Sequence, residues 1–188
     1  VTSGGAVTLA DAANSINQLS LNSSAAGNIT FNNGNPSGLS LTGYTQGTSG
    51  NTSITTAGNL VIDTPLVNTN GGTMSLQSGG TISQGTGKYV QTGPLVLSAP
   101  GDITLTKAGN AFNQVSASTT TGGVNLTTSA SNLNVTGLSV PLGSASLQNL
   151  GGGLNFTGSA SIGGNLVLDL QGGISQTAPI SVAGAFEV

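Results

Sequence analysis

The chain has 188 residues, of which two are Lys or Arg, five are Asp or Glu, and none is His, Cys or Trp. Two cations cannot neutralise a nucleic-acid backbone, and no run approaches the ~18 apolar residues of a membrane-spanning helix. A charged fraction of 4% also argues against disorder driven by charge repulsion, and the lack of cysteine removes disulfides from the stability argument.

The surface of such a chain must be built from Ser, Thr, Asn, Gln and Gly. It gives little colloidal repulsion, so self-association is expected. No charged segment followed by an apolar core opens the sequence, so a secretory leader is not expected in this numbering. The chain begins at Val1 and closes on AGAFEV (183–188), which reads as mid-strand and points to a segment of a longer or processed protein.

Along the chain, phrases of the form Gly-x-apolar-x-apolar recur at 5–9, 27–31, 58–62, 72–76, 101–105, 122–126, 152–156 and 164–168. Each predicts a short strand with one face inward, opened by a residue that permits a sharp turn. Successive glycines in the first four are 22, 31 and 14 residues apart, and in the last four 21, 30 and 12. The two series march together. They predict one domain, 1–188, built from two tandem units (5–97 and 101–188) of about 95 residues.

Direct matches support the pairing. GAVTLADAANSINQLS (5–20) aligns with GDITLTKAGNAFNQVS (101–116), placing Asp11 on Lys107 and Asn14 on Asn110. LTGY (41–44) aligns with VTGL (135–138), GTISQ (80–84) with GISQ (173–176), and TGPL (92–95) with TAPI (177–180). Apolar residues exchange at positions expected to face inward, such as Ile16 for Phe112 and Phe31 for Leu126. Residues 85–91, GTGKYVQ, have no counterpart in the second unit.

No stretch sustains a helical period, and Gly, Thr, Ser, Asn and Val dominate. Short strands with Thr, Ser and Asn outward suit a parallel β-solenoid, in which coils hydrogen-bond to their neighbours ~4.8 Å away. Like residues then stack on like, so Asn and Thr ladders are expected, and stacked charges would repel. At about 20 residues per coil the chain gives roughly nine coils and a rod on the order of 40 Å long.

The phrase at 101–116, the Gly-Thr-Ile-Ser-Gln and Gly-Ile-Ser-Gln turns and the Thr-x-Pro-Leu/Ile-x-Val strands resemble the repeat region of filamentous haemagglutinin-like exoproteins. That resemblance implies a right-handed parallel β-helix in a bacterial surface adhesin exported by two-partner secretion, with an outer-membrane transporter as partner. The segment 35–39, NPSGL, is similar to the Asn-Pro-Asn-Gly-Ile motif of that family's secretion domain and departs from it at the third position. Autotransporter passengers carry similar coils.

The carboxylates Asp11, Asp63, Asp102, Asp169 and Glu187 are scattered, and no His accompanies them. Neither the paired carboxylates of a polysaccharide-cleaving site nor the Gly-Gly-x-Gly-x-Asp repeats of a calcium-binding solenoid can be assembled from them. No catalytic residue, metal or cofactor is expected. Lys88 and Tyr89, in the unmatched stretch, are the candidate ligand contacts, since insertions in repeat proteins often mark the binding face. Of six Asn-x-Ser/Thr sequons, Asn22 and Asn51 are the candidate glycosylation sites, because Asn28, Asn125 and Asn155 fall within strand patterns. Thr104-x-Thr106 does not recur at coil spacing, which argues against an ice-binding stripe.

The sequence thus predicts a non-enzymatic, extracellular segment of an adhesin or surface fibre on a bacterial cell, without membrane insertion. It acts as a stiff rod, with a surface receptor or glycan and its own open coil edges as partners. The alternatives are a carbohydrate-active β-helix enzyme and a glycan-binding module.

Overall fold

The computed structural model describes residues 1–46, 49–68, 71–86 and 89–188. Its strands pair in parallel, and they form a ten-stranded and a twelve-stranded sheet. Leu39, Leu60, Ile82, Ile103, Val124 and Ala145 stack one above the next, each 21 or 22 residues after the last. The predicted parallel β-solenoid is therefore observed, with about nine turns.

Each coil has three sides. The ten-stranded sheet supplies the first face, with strands such as Leu60–Ile62, Ile82–Gln84 and Ile103–Leu105. The twelve-stranded sheet supplies the third face and, from Leu66–Asn68 onward, the second, bending between them along Val90–Ser98 and Asn132–Val140. In the first coils the second face is the far half of Gln18–Ser23 and Leu39–Gln46, which stays in the ten-stranded sheet. The first half of Val90–Ser98 pairs with Leu66–Asn68, and its second half with Met74–Ser78. Alternation then places every second side chain inside: Leu60 and Ile62, Leu66, Met74 and Leu76 are fully buried. One continuous apolar core runs the length of the rod.

Polar residues at the corners close the backbone hydrogen bonds that the strands leave open. The residue just ahead of a strand accepts from the amide of its counterpart one coil on. Asn28 Oδ1 accepts from Asn51 N at 3.0 Å and Asn51 Oδ1 from Thr73 N at 2.9 Å. Asn59, Asp102, Ser144 and Asn165 do the same ahead of first-face strands. At the bend between the second and third faces, Thr136 and Thr157 donate to the carbonyls of Val115 and Val135 one coil earlier, at 3.2 and 3.4 Å. The expected ladders exist, but most bond side chain to backbone rather than side chain to side chain.

The aligned turns repeat bond for bond. Asn14 N donates to Asp11 O, and its Nδ2 donates to Leu9 O and Asn32 O. Asn110 N donates to Lys107 O, and its Nδ2 to Leu105 O and Thr127 O. The two LTGY-type phrases are both β-bulges, with Thr42 and Thr136 as the extra residues ahead of Gly43 and Gly137. Yet the copies stand on different sides of the rod. Val7–Leu9 belongs to the twelve-stranded sheet, whereas Ile103–Leu105 belongs to the ten-stranded one. Ile82–Gln84 is on the first face and its match Ile174–Gln176 is on the second, pairing with Gly153–Phe156. Up to residue 84, matched phrases advance by one face.

Residues 85–91 account for the return to phase. Val90 opens the strand Val90–Ser98 and is fully buried, so part of this stretch is wall rather than loop. After it, Leu95 and its match Ile180 both lie on the third face. A gain of one face keeps inward residues inward, whereas a slip of one residue would turn the strand inside out.

Ile16 departs from the sequence expectation: its side chain is 36% exposed, whereas Phe112 is fully buried. The buried amide of Asn33 takes both sides of its backbone, accepting from Ile16 N and donating to Ile16 O at 3.0 Å each. The side chain is thereby turned outward. Asn35 and Gly38 form the turn ahead of Leu39–Gln46, with Ser37 N donating to Asn35 Oδ1 at 3.0 Å. Gly38 has φ of 100°, and a Cβ there would stand 2.5 Å from Asn59 O, so only glycine fits.

Tyr44 is the one aromatic hydroxyl inside the rod. It bonds Gln46 Oε1 and Thr52 Oγ1 at 2.7 Å each, while Gln46 Nε2 donates to Gly27 O. Burial pushes the Tyr44 hydroxyl up to about 12, partly offset by the bond to Thr52. The fold therefore holds this proton more tightly than the unfolded chain does, and its contribution is complete below pH 10. Stability should fall between about pH 10 and 12, by up to about 3 kcal/mol. Denaturant titrations across that range should show the loss in the wild-type chain and a flatter profile in Tyr44→Phe.

Candidate functional site

Outward residues of the first face form an uncharged column. Ser83, Thr104, Asn125, Ser146 and Val167 stand in register on successive coils. Beside it runs the row that precedes each strand: Asp102, Gly123, Ser144 and Asn165. Gly123 has no side chain, and between the two rows lies a shallow trough of about 390 Å³ lined by Asp102, Thr104, Asn125, Ser144, Ser146 and Asn165. A second trough of about 420 Å³ lies lower on the same face, at Asn17, Ser40, Asn59 and Val61. Both offer hydroxyls and amides, which can hydrogen-bond a neutral polar ligand, and Asp102 adds a carboxylate at the first.

The carboxylates are spread over turns and strands and are not brought together. Asp11 Oδ1 accepts from Ala13 N at 2.9 Å, Asp102 Oδ1 from Gly123 N at 2.8 Å, and Asp169 Oδ2 from Gln148 Nε2 at 2.7 Å. Among the described residues no three acidic, His or Cys side chains gather into one group. Asp102 occupies the position that Asn59 and Asn165 fill elsewhere. Asp102→Asn should therefore leave thermal stability unchanged, whereas Asp102→Ala should cost about 1 kcal/mol through the orphaned Gly123 amide. Thermal unfolding of the two variants measures the difference.

Of the candidate ligand contacts, Lys88 lies outside the described residues. Tyr89 is half-buried at the exit of the unmatched stretch. Its carbonyl accepts from Leu66 N at 2.9 Å, and a side chain at Gly109 would meet its Cβ at 3.4 Å. Next to it, Asn110 ties the corner together: its Oδ1 accepts from Val90 N at 2.8 Å and from Gln84 Nε2 at 2.7 Å, while its Nδ2 meets Gln84 Oε1 at 3.1 Å. Tyr89 thus closes a corner of the coil and presents only part of its ring.

Asn22 is exposed and points outward in register between Thr2 and Thr45. Asn51 is also exposed, but its Oδ1 is committed to the ladder through Thr73 N. Sequence reasoning did not single out the first-face trough, because no residue type in it is unusual for this chain. The signal that marks its wall is an Asn, Asp or Ser one residue ahead of an apolar-x-apolar strand.

Residues 49–118, less than half of the chain, match the profile of a family described as "Repeats of unknown function (DUF5649)". No curated protein and no solved structure gave a match. The matched segment covers four consecutive third-face strands, from Thr52–Thr56 to Ala111–Ser118.

Proposed function

We propose that this chain is a structural and adhesive segment of an extracellular fibre on a bacterial cell surface, resembling the repeat region of filamentous haemagglutinin-like exoproteins. The observation that carries the reading is the uninterrupted stack of about nine parallel coils around one core. Successive coils are joined by continuous parallel ladders on the first and third faces, so the rod resists bending and can hold a binding region away from a surface. A polar surface almost free of charge, with 4% charged residues, allows such rods to lie against one another without repulsion. Export by two-partner secretion through an outer-membrane transporter belongs to the same reading and is supported by the resemblance alone.

The last coil has inward residues without cover: Ile174, Phe186 and Val188 are 38, 52 and 80% exposed. This edge suits a further coil, either from a longer polypeptide or from a second copy, in which case rods join into filaments. Electron microscopy of the purified chain tests the proposal. Straight particles of uniform width, either on the order of 40 Å long or extended into filaments with a regular axial repeat, would support it. Flexible or compact particles would overturn it.

The first-face trough favours a second reading, a glycan-binding module, which a glycan array would reveal through a signal lost in Asn125→Ala. A depolymerisation assay against polysaccharides tests the enzymatic alternative. The scattered carboxylates speak against that reading.

A further inference from the structure

The interior of the second face changes character along the rod. In its lower coils the inward column is polar: Ser23 and Gln46 stack in register, as do Asn68 and Thr92, before Phe112 takes the next position. All four polar side chains are buried, with Asn68 1% and Thr92 4% exposed. Ser23 and Gln46 are satisfied, Ser23 by Gly5 O at 2.7 Å and Gln46 by Gly27 O, Tyr44 and Thr52. Among the described residues Asn68 Nδ2, Asn68 Oδ1 and Thr92 Oγ1 have no partner at all.

Three unpaired polar atoms on two adjacent coils are a concentration that native interiors do not leave unfilled. Together they offer an amide donor, a carbonyl acceptor and a hydroxyl that can do either. That number and mixture match what a buried water uses, which is commonly three hydrogen bonds to groups the protein cannot satisfy itself. One carbonyl and one hydroxyl oxygen are far fewer than the roughly six oxygens a hard cation takes, and the amide donor would face it with a proton. On the next coil the same column is held by the larger, apolar Phe112, so the polar stretch ends at Thr92.

We propose that the rod carries an internal water-binding site between the coils of Asn68 and Thr92, with the water bridging the Asn68 amide and the Thr92 hydroxyl. The site is integral to the wall. Removing one partner leaves the other buried and half-satisfied, whereas removing both leaves an apolar, dry column continuous with Phe112.

A crystal structure of the chain at a resolution that shows ordered solvent is the direct test. A single full-occupancy water within hydrogen-bond distance of Asn68 and Thr92 is expected. An empty position, or an Asn68 amide bonded directly to protein atoms, would overturn the proposal. Thermal unfolding of Asn68→Leu, Thr92→Val and the double variant gives an independent readout. Each single variant should lower the midpoint, while the double should match or exceed the wild type. Strictly additive losses would count against the site. Thr92→Ser keeps the hydroxyl and should retain the water, so its loss in that variant would also overturn the assignment.

Discussion

Asn110→Ala is expected to destabilise the rod by about 3–4 kcal/mol, far more than the same change at the aligned Asn14, which should cost about 1 kcal/mol. The two residues share a turn and the same pattern of amide donation to the preceding strand and to the following coil. They differ in surroundings. Asn110 is fully buried and also accepts from Val90 N and Gln84 Nε2, so alanine would strand a backbone amide and two carbonyls away from water. Asn14 is only half-buried, and water can replace its bonds. Because coils of a solenoid open locally, hydrogen exchange at the amides of Val90 and Phe112 should accelerate in Asn110→Ala, with little change in the first two coils. Equal losses in the two variants would mean that burial does not set the cost.

Phe156→Ala is expected to cost about 3–5 kcal/mol, the range for emptying a buried aromatic site. Phe156 is fully buried and stacks between Val135 of the preceding coil and Gln176 of the following one. A cavity on one rung weakens the two interfaces that rung makes, and those above it carry the exposed last coil. The expected result is a C-terminal region, from about residue 153 onward, that becomes sensitive to protease while the earlier coils stay protected. Phe156→Leu keeps most of the volume and should cost less than about 1.5 kcal/mol. Limited proteolysis followed by mass measurement distinguishes this local loss from a cooperative collapse of the whole chain.

These expectations rest on features that differ in how far the sequence revealed them. The alternation in Ile82–Gln84 and Ile103–Leu105 was legible, because a period of two puts an apolar residue inward wherever the chain is extended. The candidate contacts were less so. The unmatched stretch 85–91 reads as an insertion, which can carry a binding face or lengthen a coil; in the structure Val90 is a core residue and Tyr89 sits against Gly109. Nothing in the local pattern tells a strand that lines the core from a loop that leaves it when the stretch is this short. Ile16 is a similar case, since its outward turn is imposed by Asn33, 17 residues further along and one coil away.

By itself the sequence determined that the chain is all strand, that its coils stack with few charges, and that turns such as those at Asn14 and Asn110 recur. Each of these follows from local pattern: alternation fixes inside and outside, and a turn carries its own hydrogen bonds. Only the tertiary structure decided which of the three faces each strand joins. Every face is built from the same short alternating strands, so the local pattern does not distinguish them, and the assignment comes from the strand stacked beneath. That is why one phrase lies in the twelve-stranded sheet at Val7–Leu9 and in the ten-stranded sheet at Ile103–Leu105.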